Sequence, residues 1–341
     1  MRRLGTTPAS GERGAISVLV AILMVTLLGF TALAVDVGML YAERTQLRNG
    51  ADSAALAIAQ KCSRNINDAD CSTTSALARS LANSNAGDGK SNIADLVLDK
   101  AAGTVKVTAG AQEAGKAPNR VSLFFARVLG FNDATVTAGA TVQWGRPVAG
   151  PTAFPIAFSI CQVKTHVDGG PQLLVSHGSK GEATCNYGPS GAVVPGGFGW
   201  LNRPSGTCAG IVNATSWSPS DPGNSYPGVC DDQLRAWAAD ITAGKDVTVL
   251  LPIFDEVAGT GSSTTYKLIS FAAFVVKGWS FNGNKFPITF HNKPPFVDAA
   301  LTCDGSCTGI IGSFVHYVSL DNAYILGPAP DFGAGVVKLT Q

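Results

Sequence analysis

Residues 15–35 read AISVLVAILMVTLLGFTALAV, 21 positions without a charge. At 1.5 Å per residue a helix of that length crosses a hydrocarbon core of about 30 Å. Ser17, Thr26 and Thr31 do not spoil the run, because a helical hydroxyl can bond back to its own backbone. Arg2, Arg3 and Arg13 precede it, opposed only by Glu12, whereas Asp36 and Glu43 follow before the first cation, Arg44. This charge asymmetry predicts an N-terminus, residues 1–14, in the cytoplasm, and a chain exported from Asp36 onward. A competing reading is a cleaved signal peptide, since Ala32-Leu33-Ala34 fits a small-x-small cleavage site. The apolar run exceeds the usual 7–15-residue core of such peptides, which favours a retained anchor.

The helical pattern continues past the apolar run. Val37, Leu40, Tyr41, Leu47, Ala51, Ala54, Ala55 and Ile58 recur at steps of three and four, with Asp36, Glu43, Arg48 and Asp52 between them. The spacing predicts one membrane helix continuing into an amphipathic one, roughly 70 Å from residue 15 to residue 61. Gly38 and Gly50 each weaken it by about 1 kcal/mol relative to Ala and mark candidate kinks. A shorter helix is expected over 72–81. Next come a hairpin (94–98 and 105–109), an apolar helix over 121–129 ended by Gly130, and an alternating strand over 135–144. A small antiparallel sheet covered by helices follows from that order.

Residues 145–155 hold three prolines and two glycines and are read as a domain boundary. Beyond it, strands are expected over 153–160, 247–253, 266–276 and 314–320, with long Gly/Pro/Ser/Asn stretches at 188–199 and 204–228. Residues 231–241 are the one clear helix there, with Asp231 as candidate N-cap. The chain is thus expected to be α+β: residues 15–35 as a transmembrane helix, 36–145 as a helix-plus-sheet module and 151–341 as a β-rich exported domain.

The 341 residues carry a net charge of +1, and only 14% are charged. That leaves no electrostatic footprint for nucleic acid. A mean hydropathy of +0.19 is high for a soluble chain and is accounted for by the apolar run. All eight cysteines (62, 71, 161, 185, 208, 230, 303, 307) follow that run, as disulfides in an oxidising compartment would. Cys62–Cys71 and Cys303–Cys307 are expected as local pairs. The other four allow three connectivities, with Cys161–Cys185 and Cys208–Cys230 favoured. A zinc site is disfavoured, because there is no CxxC and the histidines (166, 177, 291, 316) are scattered.

Motifs for catalysis are weak. Residues 110–117, GAQEAGKA, lack the terminal Ser or Thr of a P-loop. Residues 178–181, GSKG, lack nucleophile-elbow spacing. The neighbouring carboxylates Asp231–Asp232 and Asp255–Glu256 fit a helix start and a turn better than a glycosidase pair. Neither a catalytic residue, nor a metal ligand, nor a cofactor is expected. Asn213-Ala214-Thr215 is a glycosylation sequon, of use only in a host that modifies it. Trp200, Trp217, Trp237 and Tyr226 lie in or near the long loops. Trp200 and Trp217 above all are candidates for a glycan-facing platform, against the plainer reading of core aromatics.

The stretch from Arg13 resembles the N-terminus of TadG-like proteins of the tight-adherence (Flp-type) pilus-assembly system. The resemblance is carried by Asp36, Gly38, Tyr41, Arg44, Leu47, Asp52, Ala54, Ala55, Leu56 and Ala57, which match Asp-x-Gly, an aromatic, then Arg-x-x-Leu-x-x-x-x-Asp-x-Ala-Ala-Leu-Ala. It covers about 45 residues; the section to Trp144 looks like the usual continuation. Past residue 151, 254–261 and 271–274 look like the subset with an extra exported domain. The resemblance implies a pilin-like module in a single-pass, non-enzymatic protein of the bacterial cytoplasmic membrane. Its partners would be other pilus-assembly or pilin-like membrane proteins and membrane lipid. Two departures matter. If Gly14 were a pilin-type cleavage glycine, the fifth mature position would be Leu19 rather than Glu, which implies permanent anchoring. The Asp-x-Ser-x-Ser metal motif of some relatives is missing. Small residues in the span (Ala21, Gly29, Ala32, Ala34) suit lateral helix packing. An envelope binding module recognising glycan or cell wall, or an exported hydrolase, are the rival readings.

Overall fold

The computed structural model describes residues 13–163, 169–176, 184–186, 188–214, 216–221, 226–282 and 285–340. The expectations resting on Arg2, Arg3, Glu12, His166, His177, the 178–181 segment and Thr215 lie outside them.

A single helix, Arg13–Arg64, runs 52 residues, about 78 Å at helical rise. Neither Gly38 nor Gly50 breaks it. Gly50 has a packing role instead: a Cβ there would sit 3.1 Å from the Cα of Ala82. It thus lets the second helix, Ala76–Asn85, approach closely. Thr26 and Thr31 donate to the carbonyls of Ile22 and Leu27 at 2.8 and 2.9 Å. From Leu47 onward one face is buried: Leu47, Ala51, Ala54, Ala55, Ile58, Ala59 and Cys62. Alanine repeated along this stripe brings the helix backbone close to the sheet it covers. Lys61 and Arg64 occupy the last turn, where cations suit the negative end of the helix dipole.

Five strands form the sheet under that helix, in the order Ser91–Asp99, Thr104–Ala111, Thr137–Pro151, Ala334–Leu339, Tyr317–Ser319. The first four pair antiparallel and the last joins parallel. The far end of Thr137–Pro151 also pairs with Ile325–Gly327 and Ile211–Asn213. Residues 145–151 of the Gly/Pro-rich stretch 145–155, expected as a domain boundary, are therefore strand. Composition misleads there because partners from remote parts of the chain supply the pairing.

A second sheet follows the order Gln172–Val175, Thr308–Val315, Thr265–Phe281, Val247–Ala258, Ile156–Ser159, Phe198–Trp200. Its core is aromatic, with Phe154, Phe158, Phe198, Phe254, Phe271, Phe274, Trp279, Phe281 and Phe314 fully buried. Helix Asp231–Thr242 adds Leu234, Trp237 and Ala238 to it. Asp231 is not its N-cap. Cys230 holds that position without a side-chain bond, and the Asp231 carboxylate instead accepts from the Tyr226 hydroxyl at 2.7 Å.

The two cores meet along one strand. In Ala334–Leu339, Ala334 and Val336 join the aromatic core while Val337 joins the core under the long helix. Successive side chains of a strand point to opposite faces, so six residues near the C-terminus link both lobes. Four disulfides are present: Cys62–Cys71, Cys161–Cys185, Cys208–Cys230 and Cys303–Cys307. The first ties the end of the long helix to the loop entering the second helix. The fold is α+β, with a long apolar helix at the start and β structure dominating after it.

Candidate functional site

The long helix has two environments. Over 16–35 its large side chains are exposed all round, from Ile16 and Leu19 to Leu28 and Phe30. Its most apolar stretch is unburied within the protein, at a mean hydropathy of 2.7. A core helix of a soluble protein would bury such residues. At Asp36 the surroundings change abruptly.

Asp36 is buried, and its carboxylate accepts backbone N–H groups from three successive residues about 90 positions away. Phe124 donates to Oδ1 at 2.9 Å, Phe125 to Oδ2 at 3.0 Å and Ala126 to Oδ2 at 2.6 Å. Burial by itself pushes the Asp36 pKa up; the bonds from Ala126, Phe124 and Phe125 outweigh it and hold the carboxyl below its usual range. The expected helix over 121–129 is not formed, and this contact gives the reason. N–H groups that would enter a helical ladder are turned onto Asp36. Only one short turn, Ala126–Leu129, remains, ended by Gly130 at φ 91°. The segment is instead a hairpin: Arg120–Ser122 pairs with Asp133–Thr135 and carries an apolar tip between them.

The tip is exposed. Val128 is 84% exposed, Leu129 68%, Phe131 65% and Phe124 62%. Between it and the helix lies an apolar groove of about 630 Å³, lined by residues that include Gly29, Leu33, Val35, Phe125, Val128 and Leu129. Charges gather at the hairpin base, where Asp133 pairs with Arg120 and, at 3.9 Å, with Lys116. Glu113 accepts from the Ser122 N–H and hydroxyl at 2.7 and 2.9 Å, bonds that hold its pKa down. Residues 110–117 therefore brace the hairpin.

These observations divide the sequence motif. Leu47, Ala54 and Ala55 are core; Asp36 locks the hairpin; Gly38, Tyr41 and Arg44 are exposed on the helix. Asp52 pairs with Arg48 at 3.3 Å. Residues 14–60 match the Tad family model, Flp pilus-assembly TadE/G-like. No curated protein and no solved structure matches the chain. The Tad-like segment lies wholly within the long helix, so it covers the apolar span, the Asp36 lock and most of the buried stripe. Its presence and the one helix among the described residues that is long and apolar enough to cross a membrane fit a membrane-anchored protein related to pilus assembly.

The remaining candidates fall elsewhere. Trp200 is buried among Phe154, Phe198 and Phe281, with ring centroids at 5.8, 6.0 and 5.7 Å. Trp237 is buried too, leaving Trp217, 43% exposed, as the accessible tryptophan of the supposed platform. Asp255 is buried and accepts from the Ser190 N–H at 2.8 Å, while Glu256 pairs with Lys267. His291 stacks between Phe290 and Phe296. Among the described residues no three His, Cys, Asp or Glu side chains gather as a metal site. The apolar tip escaped the reading of the sequence. Its one signal is the run FFARVLGF at 124–131, directly after a basic, turn-rich stretch.

Proposed function

We propose that this chain is a single-pass, non-enzymatic structural protein of Flp/Tad-type pilus assembly, anchored by residues 15–35 with residues 1–14 inside and the rest exported. In this reading 36–145 is a pilin-like module and 151–341 an added β-rich domain, tied to it by the strand Ala334–Leu339. One observation carries the proposal: the segment matching the Tad family is a single uninterrupted helix. Its first half is exposed apolar surface and its second half the core of the module that follows. Such a helix fixes the exported module rigidly to the span, as a scaffold for lateral assembly needs. Partners would be other pilus-assembly or pilin-like membrane proteins, meeting the small residues Ala21, Gly29, Ala32 and Ala34 in the membrane. Above it they would meet the exposed Tyr41 and Arg44.

The direct test is deletion of the gene in its own host, with surface filaments counted by electron microscopy. Loss of filaments, restored by the intact gene, is expected. Unchanged filaments would overturn the proposal.

A further inference from the structure

We infer that the hairpin tip, residues 123–132, is a second membrane-contacting element, seated at the boundary between headgroups and acyl chains beside the span. This rests on the anchored reading above and adds a lipid-binding surface to it.

Three independent observations carry it. Position comes first. The tip packs on the apolar side of Asp36, and its groove reaches back along the helix to Thr26. Nine helical rises from Val35 to Thr26 correspond to about 13 Å, so the groove opens along the outer part of a hydrocarbon core about 30 Å thick. A tip packed along the outer end of the span meets the lipid that surrounds it. Second comes composition. Phe124, Val128, Leu129 and Phe131 are all more than half exposed, a contiguous apolar patch of a kind that marks membrane or partner contact. Arg127 lies over the Phe124 ring at 5.4 Å. Its stem can cover apolar surface while its guanidinium reaches lipid phosphate. At the hairpin base Lys116 and Arg120 are balanced by Asp133 and Glu113, so Arg127 is the cation the tip itself offers to the headgroup layer.

Third comes the backbone. Irregular chain is excluded from low-dielectric surroundings unless its polar groups are satisfied. Here Phe124, Phe125 and Ala126 donate to Asp36. Leu123 donates to the Asn132 carbonyl at 3.1 Å, Val128 to that of Phe125, Gly130 to that of Arg127 and Phe131 to that of Ala126. The tip thus brings seven of its ten backbone N–H groups already bonded within the protein, three of them to Asp36. With two contact points, the span and the tip together would fix the orientation of the exported module over the bilayer.

The test uses the full chain in vesicles of phosphatidylcholine and phosphatidylglycerol, spin-labelled without reductant at Val128→Cys. Leu28→Cys in the span and Val193→Cys, 73% exposed on the other lobe, serve as references. Each label is tested for collision with oxygen, which enters lipid, and with a water-soluble nickel chelate. The expected result is that the Val128 label falls on the lipid side of Val193: nickel collision is lost relative to Val193, and oxygen collision rises toward the Leu28 value. A Val128 label as open to nickel as Val193 would overturn the inference while leaving the anchor intact. A label shielded from both reagents would show a protein, such as a second copy, on the tip and would overturn it equally. A Leu28 label open to nickel would overturn the anchored reading itself.

Discussion

The same kind of substitution placed twice in one helix should give two different outcomes. Ile58 is fully buried within the cluster that holds Ala54, Ala55, Val105, Val107, Val142 and Val337. Ile58→Ala removes three carbons, worth about 2.4 kcal/mol at about 0.8 kcal/mol per methylene. The cavity left behind brings the expected loss into the range of about 2–5 kcal/mol. Since 1.4 kcal/mol is about a tenfold change, protected amides of residues 47–62 should exchange at least about 30-fold faster. Leu28 is 68% exposed on the same helix. Leu28→Ala alters a position outside the protein core and should shift those amides by no more than about twofold, the scale of a surface change of about 0.5 kcal/mol. Hydrogen exchange by mass spectrometry on the full chain in vesicles reads both variants. If Ile58→Ala leaves residues 47–62 unchanged, or Leu28→Ala loosens them as much, the division of the helix between lipid and protein core is wrong.

Other consequences can be checked on the same material. Trp200→Ala should lower the stability of the β-rich lobe by about 3–5 kcal/mol, as expected for an aromatic lost from a core. Trp217→Ala, at the surface, should stay within about 0.5 kcal/mol in urea denaturation. Replacing Cys208 and Cys230 by Ser removes a bridge spanning 22 positions and should cost that lobe about 3 kcal/mol; an unchanged urea midpoint would contradict it. Because the N–H groups of 124–126 hold the Asp36 carboxyl below the ordinary aspartate range, its grip on the tip is fully present above that range and fades as pH falls through the lowered native value. Protection of the 124–126 amides, corrected for intrinsic exchange, should follow that fall in the parent chain. In Asp36→Asn it should be weak at every pH.

The long helix was legible because its information is local: an uncharged run, then a three-and-four spacing of Leu47, Ala51, Ala54, Ala55 and Ile58. Proximity in sequence also made Cys62–Cys71 and Cys303–Cys307 readable. What escaped depends on contacts that periodicity does not encode. Residues 121–129 have helical spacing, yet Asp36, some 90 positions earlier, takes the N–H groups of 124–126 and turns the segment into a hairpin. The run 145–151 looks like a linker until Val336, Ile325–Gly327 and Ile211–Asn213, all remote in sequence, pair with it. Trp200 sits in a Gly-rich stretch that reads as loop, and only the arrival of Phe154 and Phe281 makes it core. The candidate site follows the same division. Its apolar helix was readable, whereas its lock required two remote segments to be seen together.

The central claim is that the apolar segment stays in the protein as the first half of a working helix. The most direct measurement is peptide mapping by mass spectrometry of the chain recovered from the membrane fraction of its host. Peptides covering residues 15–35, contiguous with Asp36, are predicted. A chain whose N-terminus is Val35, and which leaves the membrane fraction, would contradict the account.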